Sequence, residues 1–157
     1  MKIVLRFFAC CALLAILECG SQAGAQTQKE LSPQEMKGER IYQWGEGDGD
    51  EIIAILGSGL EVPATTLRCA NCHGNSGEGR SEGGIRVPPI YWESLTSGGT
   101  SSQTRPRRKA YDEQSLARAI REGVDPDSRS LNSAMPHYRL TSAQMADLIA
   151  YLKTLQE

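Results

Sequence analysis

The sequence predicts an all-α fold in a single domain, on the strength of three segments that each carry a helical apolar stripe between recognisable start and stop signals. A chain of 157 residues is enough for one compact domain and too short for two ordinary ones. The first segment starts at Ser32 and Pro33 and runs toward Trp44, with Pro33 suited to a first helical turn. It offers Met36, Ile41 and Tyr42 as apolar residues and Gly38 as a point of close backbone approach. The second opens on Asp112 as N-cap, carries Leu116, Ala119 and Ile120 as its stripe, and stops at Gly123. The third opens on Thr141 with Gln144 three residues on, a capping box, and Leu140 and Met145 stand at the positions of a hydrophobic staple. Met145, Leu148, Ile149, Leu152 and Leu155 then recur at helical spacing and give this helix one apolar face.

Ahead of this domain, residues 1–25 read as a secretory signal peptide, which leaves 26–157 as the mature domain. Lys2 and Arg6 are followed by Phe7, Phe8 and the apolar run Ala12 to Leu17, and the small residues Ala23, Gly24 and Ala25 mark a cleavage site. A transmembrane anchor needs about twenty apolar residues in a row, and Glu18, Gly20, Ser21 and Gln22 interrupt the run too early. A lipid-anchored alternative at Cys19 is disfavoured by Glu18, which stands where a small residue is wanted. The expected location is the periplasm. Cleavage removes two basic residues and one acidic one, leaving 15 basic against 18 acidic and a net charge of −3, which argues against a nucleic-acid role.

Cleavage also removes Cys10, Cys11 and Cys19, so the mature chain keeps Cys69 and Cys72 alone. In an oxidising compartment such a pair can form a redox disulfide or half of a zinc site. His73 decides between the readings, because Cys69-Ala70-Asn71-Cys72-His73 is the C-x-x-C-H pattern of covalent haem attachment. Two thiols at this spacing add across the two haem vinyl groups, and the adjacent imidazole comes beneath the iron. A zinc site would need two further ligands, and a thioredoxin-type site would need a βαβ context and no histidine. One such motif implies one haem c.

Low-spin haem of this kind takes a methionine or a second histidine as its other axial ligand, and the choice sets the potential. Met36 and Met145 fall in helical stripes and read as core packing. Met135 stands in the irregular stretch Leu131 to Pro136, where turn formers and the following proline disfavour helix, so it is the candidate sixth ligand. His137, two residues later, is its competitor.

With these residues on the page, the chain resembles a class I cytochrome c over roughly residues 32 to 156. The resemblance rests on Gly38 through Tyr42, on Cys69 to Gly74, and on Ala134-Met135-Pro136 ahead of the final helix ending in Leu148 to Leu152. It implies three main helices around a covalent haem, with the terminal helices crossing at a glycine. It also implies that Pro88, in Pro88-Pro89-Ile90, offers its carbonyl to the second ring proton of the proximal histidine. Further stretches, Glu61 to Ala64, Gly83 to Ile85 with Pro88 to Trp92, and Ala119 to Pro126, resemble a bacterial subgroup found beside or fused to periplasmic substrate-binding proteins. Tyr91 and Trp92 are expected at the haem periphery or in the core.

Three segments remain. Residues 45–63 exceed the minimal family pattern, and Glu51 to Leu56 and Leu60 to Val62 around Gly57-Ser58-Gly59 read as a short β-hairpin, either a surface lid or a docking edge. The glycine-rich stretch Gly74 to Arg80 follows no strand and lacks the Lys-Ser/Thr ending of a P-loop, so it reads as a tight turn at the haem edge. Arg105 to Lys109 is the one dense basic run, a solvated loop or a local patch for an acidic partner.

The sequence therefore points to a non-enzymatic carrier of single electrons, free or as the cytochrome subunit of an oxidoreductase. Its partner would be a dehydrogenase, an oxidase or another cytochrome. The alternative is a small-ligand sensor or small peroxidase with a labile sixth position, for which His137 is the available distal acid–base group.

Overall fold

The computed structural model describes residues 30–82, 84–99 and 107–157. The proposed leader, Arg105 and Pro106 lie outside them. In chain order the elements are α1 (Pro33–Trp44), β1 (Ile53–Ile55), β2 (Glu61–Pro63), α2 (Cys69–His73), β3 (Arg80–Glu82), β4 (Ile85–Val87), α3 (Trp92–Thr96), α4 (Glu113–Glu122), β5 (His137–Arg139) and α5 (Ser142–Leu152). The three long helices are those read from the sequence, and each begins on a reciprocal cap. Ser32 Oγ accepts from the Glu35 amide while the Glu35 carboxylate accepts from the Ser32 amide. Asp112 pairs in the same way with Ser115, and Thr141 with Gln144. Each cap satisfies amides that the first helical turn leaves without a partner. Gly45 and Gly123 end α1 and α4 in the left-handed conformation, at φ 72° and 68°.

α1 and α5 make the most extensive packing between elements. Gly38, Ile41 and Tyr42 of α1 face Met145, Leu148, Ile149, Tyr151 and Leu152 of α5, all of them buried. The helices meet at Gly38, where an added Cβ would lie 2.0 Å from the Asp147 carbonyl oxygen and 2.7 Å from Tyr151 Cβ. The Tyr42 and Tyr151 rings stack at a tilt, with centroids 5.4 Å apart.

Met36 corrects the sequence reading, being 48% exposed rather than part of the core stripe. It precedes Gly38 by two residues, or about 200° around a helix of 3.6 residues per turn, so it points away from α5.

The all-α expectation also needs an addition, because two small sheets join the helices. The hairpin read in residues 51–62 forms, with β1 antiparallel to β2, and β5 adds on the other side to give the order β2-β1-β5. A surface lid is ruled out by burial: Ile52, Ala54 and Ala64 are 2%, 0% and 2% exposed and belong to the main core. On the inner face Val62, Ala54 and Tyr138 are cross-strand neighbours. Gln144 Nε2 ties the loop before β1 to α5, donating to the carbonyls of Asp48 and Asp50 at 3.1 and 2.8 Å. The second sheet is the ribbon β3-β4. Among the described residues, no helix is long and apolar enough to cross a membrane.

Candidate functional site

Cys69, Cys72 and His73 lie on the single turn of α2. Spacings of three and four residues put Cys72 and His73 on the same side of the helix as Cys69. Exposure is graded along this side: His73 is buried, Cys69 half-buried and Cys72 exposed. The three side chains do not gather around one point, and among the described residues no group of three His, Cys, Asp or Glu side chains could hold a metal ion.

Burial pushes the Cys69 thiol pKa up to about 12, so the free thiol stays protonated at neutral pH.

His73 is oriented by the loop that follows it. The chain leaves α2 through Gly74 and turns back, with the Gly79 amide donating to the His73 carbonyl at 2.8 Å and the Ile90 amide donating to the Gly77 carbonyl at 2.8 Å. Gly79, at φ +72°, has no room for a side chain, since a Cβ there would come within 2.7 Å of the Val87 and Pro88 backbone. This close approach brings the Pro88 carbonyl to 3.1 Å from His73 Nδ1. A carbonyl only accepts, so Nδ1 carries the proton and Nε2 keeps its lone pair. Burial lowers the imidazole pKa, with the hydrogen bond to Pro88 opposing it. The outcome is a neutral, fixed imidazole, the form a metal binds.

Two tyrosines, neither singled out as a site residue from the sequence, hold α2 at its ends. Tyr42 donates its hydroxyl to the Gly74 carbonyl at 2.7 Å, and Tyr138 donates to the Leu67 carbonyl at 2.8 Å. Both phenols are buried, and burial raises their pKa values, so both stay protonated donors. A signal for Tyr138 was present in the sequence, because Pro136, Tyr138 and Leu140 alternate with His137 and Arg139 as a half-buried strand does.

A cytochrome c family model matches residues 63–156. This chain belongs to the cytochrome c family. Membership assigns a covalently bound haem c, with Cys69 and Cys72 at the attachment positions, and the role of a haem-based electron-transfer protein. No curated protein and no solved structure matches the chain significantly. The fold agrees with a class I cytochrome, with terminal helices crossed at Gly38 and the attachment turn between them in sequence.

Met135, in the stretch between α4 and β5, is half-buried and packed against the main core. An Asn132 turn shapes its loop: the Ala134 amide donates to Asn132 Oδ1 and the Met135 amide to the Asn132 carbonyl, each at 2.9 Å. His137 lies on the face of β5 opposite Tyr138, and its ring fills the space where a Cβ on Gly123 would stand, 2.1 Å from Nε2. Tyr91 and Trp92 pack at the edge of the core, and the Lys153 ammonium lies 5.2 Å from the Trp92 ring centroid. The described part of the basic run is engaged locally. Arg107 donates to the Ser97 carbonyl, Arg108 stacks 4.3 Å from the Tyr111 ring centroid, and Lys109 pairs with Asp127.

Proposed function

We propose that this cytochrome is a periplasmic one-electron carrier, free or as a subunit of an oxidoreductase, with His73 and Met135 as axial ligands and Pro88 as the acceptor that orients His73. The observation that carries this reading is the buried His73 imidazole, fixed through Nδ1 on Pro88 with Nε2 left to bind iron. When bound, the haem supplies an iron that exchanges one electron without a proton from the protein. His73 would ligate the iron in a set orientation, and the Met135 thioether, a soft ligand, would favour the ferrous state and keep small molecules from the iron. The redox partner would be a dehydrogenase, an oxidase or another cytochrome. His137 lies on the face of β5 opposite Tyr138, against Gly123 at the end of α4, which takes from a peroxidase reading its candidate distal acid–base group.

Potentiometry on the holoprotein tests the reading. A single one-electron curve is expected, together with a ferrous form inert to carbon monoxide. Ready binding of carbon monoxide by the wild-type ferrous protein would replace the carrier reading with the sensor or peroxidase one.

A further inference from the structure

The stretch that carries Met135 hangs between two anchors. Upstream, the Leu131 amide donates to the Gly123 carbonyl at the end of α4, at 2.7 Å. Downstream, β5 begins two residues after Met135 and pairs along its whole length with β1: Ile55 with His137, Ala54 with Tyr138, and Ile53 with Arg139. The hairpin turn also abuts the stretch itself, since a Cβ on Gly57 would lie 3.5 Å from Ser133.

The register shows which bonds do the holding. The Ala64 amide donates to the Ile52 carbonyl and the Leu56 amide to the Leu60 carbonyl, so even-numbered residues from 52 to 56 direct their backbone groups at β2. In an antiparallel ladder a residue's N–H and C=O point to the same side, so Ile53 and Ile55 direct theirs at Arg139 and His137. Tyr138, between those two, turns inward to the Leu67 carbonyl, two residues before Cys69. The hairpin thus ties the strand after Met135 to the segment that leads into the attachment turn. The outer-face ion pair of Arg139 and Glu61 is exposed on both sides and adds little.

We propose that the inserted hairpin is a positioning brace for the sixth iron ligand, acting through the backbone bonds of Ile53 and Ile55 to β5. This rests on the reading of Met135 as that ligand. Release of the thioether then requires β5 to part from β1, so ligand loss and strand opening form one cooperative event.

The test uses the haem-loaded protein. Ile55→Pro removes an N–H aimed at β5, and Val62→Pro removes one aimed at β1 from the opposite edge strand, so the two variants lose equivalent bonds on different sides of the hairpin. Ile55→Pro is expected to speed carbon monoxide binding to the ferrous protein about tenfold and to weaken the far-red charge-transfer band of thioether-ligated ferric haem. Val62→Pro is expected to lower the thermal midpoint comparably while leaving the carbon monoxide rate within about twofold of wild type. Equal acceleration in both would mean general loosening and would overturn the brace. If Ile55→Pro does not fold, amide exchange decides. By linkage, Met135→Ala should raise exchange at Ile53, Ile55, His137 and Arg139 about tenfold and leave α1 and α5 unchanged. Unchanged exchange at those four amides would refute the coupling. Absence of the far-red band in the wild type would instead refute the ligand assignment beneath it.

Discussion

Replacing Met135 by Ala is expected to open the sixth iron position, giving rapid carbon monoxide binding in the ferrous state, loss of the far-red band in the ferric state and a lower reduction potential. The expectation follows from the ligand's chemistry: a thioether is soft and stabilises ferrous iron, so water in its place favours the ferric form. Nearby replacement ligands would mute the effect, and His137 is the nearest in sequence. Its ring lies against Gly123 on the outer face of β5, so reaching the iron would require the strand to detach from β1. The double variant Met135→Ala/His137→Ala should therefore resemble the single one. A Met135→Ala protein with an unchanged spectrum and potential would remove this residue from the iron.

Gly38→Ala is expected to lower the thermal midpoint by roughly 10 °C, although helix propensity alone favours Ala over Gly by about 1 kcal/mol. The clash outweighs the propensity. The new methyl would stand 2.0 Å from the Asp147 carbonyl oxygen and 2.7 Å from Tyr151 Cβ, and backbone cannot rotate aside as a flexible side chain can. Relief requires α1 and α5 to separate along their most extensive contact, a cost at or above the upper end of the about 1–3 kcal/mol typical of overpacking. Thermal unfolding of the holoprotein checks this, and an unchanged or raised midpoint would mean that the helices do not cross at Gly38.

The parts of this cytochrome legible in its sequence are those set by residues close together in the chain. Ser32, Asp112 and Thr141 each find their capping partner three residues away, so the starts of α1, α4 and α5 could be read directly. Cys69, Cys72 and His73 occupy one helical turn, and their chemistry follows from that spacing alone. Met36 was misjudged because apolar character was weighed above its angle on the helix.

Long-range contacts were harder to read. β5 is three residues long and exists through its pairing with β1, more than eighty residues earlier in the chain. Tyr138 and Tyr42 find their acceptors 71 and 32 residues away. The role of Gly79 in bringing Pro88 to His73 depends on the path of the loop between them, which no local pattern encodes. The hairpin itself was visible from Gly57-Ser58-Gly59, but its place in the core was not, because Ala54 is paired with Tyr138, far along the chain.

Intact mass of the mature protein tests the central claim most directly. The account predicts residues 26–157 plus the mass of one haem that acid acetone does not extract, and a Cys69→Ala/Cys72→Ala variant whose mass lacks that increment. A wild-type chain carrying no haem increment, or haem that acid acetone removes, would contradict it.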